Sequence, residues 1–534
     1  MRRHQTTRAA ATELRHQIEL LVRPGRRSLV PGPLEDRLRQ ETGNGSGRIG
    51  KDLVTGPARL RQVTEAASGD PAERLLISVN QEGGRLDALD WAGVGQLPGN
   101  MALGAAGEEG LAELAGRAVG GQLRAVGLTW NLAPVCDLAG WPSSLAVGTR
   151  SFGDGPELVG RLAAGFVRGL QAAGVAATAK HFPGLGGVVE DPHHTVPVVE
   201  ELVPGALLPF RAAVEAGVAA VMVGSHTVRV IDDRPALASP AMIRLLRDGL
   251  GFTGVIVSEN LSIPAVNEPL GGLAQAAVAA VAAGVDAVML DSEISRGGQP
   301  YPALVRAVAR RAEVVEALVE AVGSSLISRR QVADAAGRVR ALHDRFGLVS
   351  GAEPTTRLEW AEANTRAEAA AGRIGEASVT IVRGAHHLPL PADPGAPVVT
   401  VRVPDCGERK ADSARHGPDL LPAVLAERHP TIIQRQPGGD LVPAGAATAV
   451  VYGYDTRDSL EAASGAAREA ARLSGRGLRV VQVALGDVDD LAGSPADVLV
   501  AAFSPHRASL AAVADVLLGR GRPRGVLPFR GPLW

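Results

Sequence analysis

The chain has 534 residues, with 46% hydrophobic, 21% charged and only 3% aromatic residues. That is an ordinary globular composition whose cores must be filled by Ala, Val and Leu, in a chain too long for one compact core. A formal net charge of -2 gives no argument for nucleic acid or an anionic membrane as partner, and Cys136 and Cys406, far apart with no metal-type spacing, argue against a disulfide framework.

The amino terminus is basic, but Arg8, Glu13 and Arg15 interrupt the segment Thr6 to Ile18, which reads as a helix. No window approaches ~18 uninterrupted apolar residues, so neither a signal peptide nor a transmembrane span is expected, and a cytoplasmic location is. From about Arg26 to Leu290 a beat repeats: a short apolar run, a polar or glycine-rich loop, an alanine-rich amphipathic segment. The clear strands are Leu75–Val79, Leu128–Leu132, Val175–Ala179, Ala219–Val223, Gly254–Ser258 and Val285–Leu290. Weaker candidates at Arg27–Val30 and Ile49–Val54, the latter entered through the flexible run Gly43–Arg48, bring the number to eight. Alternating βα units with near-continuous apolar strands predict a parallel sheet, and eight of them a closed barrel.

Beyond Leu290 the pattern changes. Tyr301 to Phe346 is mostly helical, and Thr365 to Ala377 reads as one more helix. Strands then return at Val379–Val382, Val398–Val401, Ala449–Tyr452, Leu478–Val483 and Asp497–Ala501, separated by helical segments, which predicts a smaller doubly wound α/β domain. The expected division is a (β/α)8 barrel over 1–345, a linker over 346–365 and the second domain over 366–534.

The stretch Lys180-His181-Phe182-Pro183-Gly184 holds one of three lysines in a chain that otherwise uses arginine. It follows a predicted buried strand, and Asp191, His193 and His194 lie on the loop beyond. A carboxylate near a histidine orients the ring and raises its basicity, making the pair a candidate general acid/base. A zinc site or a solvated polar loop are the alternatives, and zinc wants three or four ligands in defined geometry. Other strand ends add Asn80-Gln-Glu-Gly-Gly-Arg85, Asp137, Gly224-Ser225-His226 and Glu259. Polar groups gathered at consecutive strand ends converge on the carboxyl face of a barrel. Taken singly they are weak: Gly83-Gly84 can be a tight turn, Asp137 a helix cap, and His226 a satisfied core histidine.

In chain order, Asn80-Gln-Glu-Gly-Gly-Arg85, Asn131-Leu-Ala-Pro-Val-Cys-Asp137, Gly148-Thr-Arg-Ser-Phe-Gly153, Lys180-His-Phe-Pro-Gly184, Asp191-Pro-His193 and Gly251-Phe-Thr-Gly-Val-Ile-Val-Ser258 resemble the motifs of family 3 glycoside hydrolases. The Lys-His-Phe-Pro-Gly and Asp-x-His pair is similar to the β-N-acetylhexosaminidase (NagZ-type) branch. The resemblance implies a barrel followed by an αβα sandwich. It further implies a retaining exo-glycosidase that removes terminal β-linked N-acetylglucosamine from small glycans or cell-wall fragments, with no cofactor or metal. By the same resemblance His193 is the acid/base, oriented by Asp191, and Arg150, Lys180 and His181 hold sugar hydroxyls. Asn80 and His226 are further candidate substrate-binding residues.

The chain departs from the family pattern at the sugar site. Glu259 stands where the nucleophilic aspartate follows the seventh strand, moving the carboxylate by about 1.5 Å, one C–C bond. Asn80 replaces a sugar-binding aspartate, Ala88 stands near a missing arginine, and Leu185 replaces the histidine of Gly-His-Gly. Two alternatives to hydrolysis follow: a silent sugar-binding relative, and a retaining phosphorylase, since a histidine acid/base repels phosphate less than a second carboxylate would.

Overall fold

A computed structural model describes residues 2–26, 46–49, 57, 74–89, 91, 93–140, 147–188, 195–290, 300–349, 357–391, 393, 396–405, 420–439, 443–456 and 463–529. Asp191, Pro192, His193 and His194 lie outside the described residues, as do Arg27–Val30 and most of the second predicted strand.

Eight strands run parallel around a ring: β1 Val22–Arg26, β2 Ser46–Ile49, β3 Arg74–Val79, β4 Trp130–Asn131, β5 Thr178–Phe182, β6 Ala220–Val223, β7 Val255–Asn260 and β8 Ala287–Leu290. Except between β4 and β5, each pairs with the next in sequence, and β1 pairs with β8. Between β4 and β5 closure rests on two isolated parallel bridges, Trp130 with Ala176 and Val135, just beyond β4, with Lys180, and on the Trp130 ring N–H, which donates to Thr178 Oγ1 at 2.6 Å. The fold is thus the closed α/β barrel expected, with the carboxyl ends of all eight strands on one face.

The first strand lies earlier than predicted, at Val22–Arg26. Its sequence, Val-Arg-Pro-Gly-Arg, has no apolar run, and it is a strand because β8 and β2 offer hydrogen bonds on both sides. The run expected to be flexible, Gly43–Arg48, instead enters β2 at Ser46. The third clear run also shifts: β5 starts at Thr178 and includes Lys180 and His181, so these two stand within the strand's last residues.

Two strands carry an extra residue at their carboxyl ends. Ala179 and Phe182 of β5 pair with Val221 and Val223 of β6, three residues against two. Val257 and Asn260 of β7 do the same against Ala287 and Met289 of β8. Such bulges bend a strand and re-aim the side chains in them; here those are Lys180 with His181, and Ser258 with Glu259.

The span read as a linker is partly structured. Leu348–Val349 pairs antiparallel with β3, and a helix runs over Arg357–Ser378 against the barrel helix Glu109–Ala125. Asn364 on that helix fixes the packing: its Oδ1 accepts from Gly95 N at 2.7 Å, and its Nδ2 donates to Gly93 O at 3.0 Å.

The second sheet contains β9 Thr380–Arg383, β10 Val398–Arg402, β11 Ile432–Arg435, β12 Thr448–Gly453, β13 Arg479–Ala484 and β14 Val498–Ala501. The order is β9-β14-β13-β12-β10-β11, antiparallel only at β9. Helices Leu420–Ala426, Gly465–Ser474 and Arg507–Leu517 cover it, an αβα arrangement. The tail returns to the barrel: Val526 N donates to Ala105 O and Asp154 N to Pro528 O, both at 3.0 Å. No helix among the described residues is long and apolar enough to cross a membrane.

Candidate active site

The loop after β3 is built around Gln81. Asn131 at the end of β4 grips it by accepting from Gln81 N at 3.0 Å and donating to Gln81 O at 2.8 Å, and the Gln81 side chain accepts from Ala88 N and Leu89 N. Gly83 and Gly84 turn the chain at φ +84° and +65°, and a Cβ on Gly84 would lie 2.9 Å from Pro98 O. The pair is therefore a tight turn, and the turn serves to fix Glu82 at the barrel mouth.

Glu82 is fully buried between two cations. Arg150 reaches it with Nε and Nη2, each at 2.9 Å, in the two-pronged geometry that suits a guanidinium and a carboxylate, and Lys180 Nζ lies 2.5 Å from Oε1. Burial would raise the Glu82 carboxyl, but Arg150 and then Lys180 outweigh it and hold it down at about 2. The triad keeps a surplus of one positive charge. Asn80, half-buried, accepts from Lys180 Nζ at 3.4 Å.

Asp137, at the end of β4's extension, is no helix cap. Its Oδ2 lies 2.7 Å from His181 Nδ1, and its Oδ1 accepts from the backbone of His181 at 3.1 Å and Leu185 at 2.9 Å. Burial opposes the charge, but His181 and these bonds keep the carboxyl below its usual range. A carboxylate on Nδ1 requires the proton there, which leaves Nε2 of His181 as an acceptor when the ring is neutral. Cys136 beside it is inert: burial, with the Asp137 charge adjacent, pushes the thiol up.

Opposite these groups, the bulge in β7 presents Glu259, half-buried. Its backbone is fixed through Ser258, whose hydroxyl donates to Glu259 O at 2.7 Å and accepts from Met289 N at 2.9 Å. Its carboxylate Oε2 accepts from Ser225 N at 3.1 Å and Ser225 Oγ at 3.0 Å. The segment Gly224-Ser225-His226 after β6 is the seam between the two sides. A Cβ on Gly224 would lie 2.9 Å from His226 Nδ1 and 3.4 Å from His181 Cβ. His226 is fully buried, and neither ring nitrogen reaches hydrogen-bond geometry with a described residue. Burial pushes its imidazole down to about 4, although Asp137, Glu259 and the nearby Gly184 carbonyl pull the other way. It is neutral at pH 7.

Of the residues singled out in the sequence, Asn80, Arg150, Lys180, His181, His226 and Glu259 thus meet at one end of the barrel, while Asp191 and His193 fall outside the described residues. Glu82 and Asp137, which hold the cations and the imidazole in place, were not assigned these roles from sequence. The signal for Glu82 was a matter of charge: two buried cations, Lys180 at a strand end and Arg150 on the helical turn Gly148–Arg150, demand an anion. Among the described residues no three His, Cys, Asp or Glu side chains gather as a metal site requires.

The family model described as the glycosyl hydrolase family 3 N-terminal domain matches residues 48–342. The chain belongs to family 3 of the glycoside hydrolases. It is 39% identical over 243 residues to a β-hexosaminidase of Thioalkalivibrio sulfidiphilus, covering 43% of this chain and 69% of that protein. A β-hexosaminidase of Methylococcus capsulatus is 37% identical over 238 residues, 43% of this chain and 70% of its own. Across both domains this family 3 enzyme is similar to a solved β-N-acetylglucosaminidase of the same family from Paenibacillus. That likeness has a TM-score of 0.82 and 28% identity, with 98% of this chain and 99% of the other covered. The family match falls on the barrel, and the solved enzyme extends the likeness in shape to the sandwich.

The sandwich also touches the site. Asp455, just beyond β12, pairs with Arg85 at 3.1 Å with both side chains buried, and His506 Nε2 donates to Gly84 O at 3.0 Å. The loop that carries Glu82 is therefore held from the barrel by Asn131 and from the second domain by Asp455 and His506.

Proposed function

We propose that this family 3 enzyme is a retaining exo-β-N-acetylglucosaminidase that acts on amino-sugar termini of small glycans or cell-wall fragments in the cytoplasm. The observation that carries the reading is the division of charge across the barrel mouth. A positive surplus gathers at Glu82, Arg150 and Lys180 on one side, and an unneutralised carboxylate, Glu259, stands on the other. Glycoside cleavage passes through an oxocarbenium-like state, whose positive charge develops at the anomeric carbon. Donors suit the hydroxyl side of such a sugar, and a carboxylate suits its anomeric side.

In this reading Arg150, Lys180 and His181, set by Glu82 and Asp137, hold the sugar hydroxyls, and Asn80 assists through Lys180. Glu259 attacks the anomeric carbon while His193, oriented by Asp191, gives its proton to the departing glycosidic oxygen. The resulting glycosyl ester is hydrolysed when His193 takes a proton from water and the hydroxide oxygen attacks the same carbon, which restores Glu259 and the net β configuration. The family resemblance of the Asp191-Pro-His193 motif supports those two roles. The likeness to the hexosaminidase relatives supports the amino-sugar substrate.

The test uses an aryl β-N-acetylglucosaminide, the matching aryl glucoside and a fluorinated mechanism-based inactivator. Turnover that favours the N-acetylglucosaminide, with the adduct mapped to Glu259 and at least about 10⁴-fold slower turnover in Glu259→Gln, is the expected result for loss of a nucleophile. Absence of both turnover and adduct sinks the reading. Rates that rise with added phosphate and release a sugar 1-phosphate turn it into a phosphorylase.

A further inference from the structure

We propose that Ser225 is a positioning residue that selects which oxygen of Glu259 reacts. The inference rests on the reading of Glu259 as nucleophile and adds to it a second residue and a geometric match between the two. Both hydrogen bonds that described residues make to the Glu259 carboxylate come from Ser225, its backbone N–H at 3.1 Å and its hydroxyl at 3.0 Å, and both end on Oε2. Oε1 accepts none from the described residues. An exposed glutamate carboxylate turns freely about its last torsion, which is broad and two-fold, so its oxygens exchange. Two donors on one oxygen stop that exchange. They also draw charge toward Oε2, so Oε1 is the oxygen presented to the anomeric carbon.

Ser225 is fit for this because it cannot move. It is fully buried, and the backbone on both sides is tied: Gly224 N donates to Phe182 O at 2.9 Å, Leu237 N to Gly224 O at 3.1 Å, and Ala236 N to His226 O at 2.9 Å. Glu259 is equally constrained at its base by Ser258 and Met289. The span between these two anchors is filled by a glutamate side chain. An aspartate there ends about 1.5 Å short, one C–C bond, and does not reach the serine hydroxyl from the same backbone. Ser225 and the extra methylene of Glu259 are therefore a matched pair, and their effects on rate should depend on each other.

A double-mutant cycle tests this, with Ser225→Ala, Glu259→Asp and the combination, plus Ser225→Thr and Ser225→Cys. Turnover of the aryl β-N-acetylglucosaminide and the rate of inactivation by the fluorinated probe are the readouts, with thermal melting as the check on folding. Ser225→Ala should lower kcat and the inactivation rate roughly 10- to 100-fold, as expected for one hydrogen bond to a charged group, with KM changed less than about 3-fold. Ser225→Thr, which keeps the hydroxyl, should restore most of the rate. Ser225→Cys, a weak donor of similar size, should behave like the alanine variant even if that variant folds poorly. In the Glu259→Asp background the change at Ser225 should be less than about 2-fold. Equal effects in both backgrounds, or an effect on KM alone, overturn the proposal. If the probe labels Glu259 in wild type and Ser225→Ala at the same rate, Ser225 has no such role and the nucleophile stands. If the probe labels another carboxylate, or wild type neither turns over nor is labelled, the nucleophile reading fails and this proposal with it.

Discussion

The two sides of the barrel mouth are held by different physics. On the β3–β5 side the carboxylates are buried and each has its partner: Glu82 is answered by Arg150 and Lys180, and Asp137 by the His181 ring. On the β6–β7 side the carboxylate of Glu259 is half-buried and, among the described residues, answered by the dipoles of Ser225, while the imidazole of His226 is held neutral by burial. A buried ion network tolerates no missing member, because the desolvation of each charge is offset only by its partners. A hydrogen-bonded carboxylate at a wet rim keeps its charge available for reaction. The first arrangement suits groups that must stay put, and the second a group that must form a bond.

The largest effect expected on this comparison is at Glu82. Glu82→Gln leaves Arg150 and Lys180 buried beside a neutral amide, and the loss should be about 3–5 kcal/mol of stability, read by chemical denaturation. A loss below about 1 kcal/mol breaks the contrast, since the network would then be no more demanding than the rim.

The next concerns pH. The imidazole of His226 binds a proton below about 6.5 in the unfolded chain but only below about 4 in the folded one. Between those values the unfolded state binds more protons, so its contribution to stability is complete above about 6.5 and is lost as pH falls toward 4. The drop attributable to this one residue is about 3 kcal/mol. His226→Leu should flatten that part of the stability profile, and an unchanged slope assigns the acid sensitivity to other groups. The carboxyl of Glu82, held at about 2, begins to lose its own contribution as pH falls below about 4.5 and has lost it near 2.

A smaller effect belongs to the seam. Gly224→Ala inserts a methyl against His226 and His181, both buried, and should cost about 1–3 kcal/mol by overpacking. Because the intruding Cβ crowds the His226 ring while touching His181, its effect on kcat should exceed that of an alanine placed elsewhere on the barrel rim. A variant with native stability and rate shows that the two sides are not mechanically joined there.

Most of the barrel was legible because strands buried on both faces must be apolar, and the runs at Ala219–Val223 and Gly254–Ser258 match β6 and β7 to within two residues. The misses have a common cause. Val22–Arg26 and Ile432–Arg435 are strands by virtue of their neighbours: the first closes a ring, and the second is a partly exposed edge strand whose Gln and Arg hide the pattern. The site divides in the same way. Lys180, His181, Arg150 and Glu259 stood out through local motifs, whereas the pairing of Glu82 with Arg150 spans 68 positions and that of Asp137 with His181 spans 44. Those distances are set by the fold and are invisible to spacing along the chain.

The return of residues 525–529 to the barrel changes what kind of object the second domain is. The sandwich leaves the barrel through the helix anchored by Asn364 and comes back through Val526 and Pro528, so it is fastened at both of its chain ends and again in the middle, where Asp455 meets Arg85. A body fixed at three separated points has no hinge axis left to swing about. In thermodynamic terms the barrel and the sandwich are then one cooperative unit, and the stability of the sandwich is part of what keeps Glu82 in position.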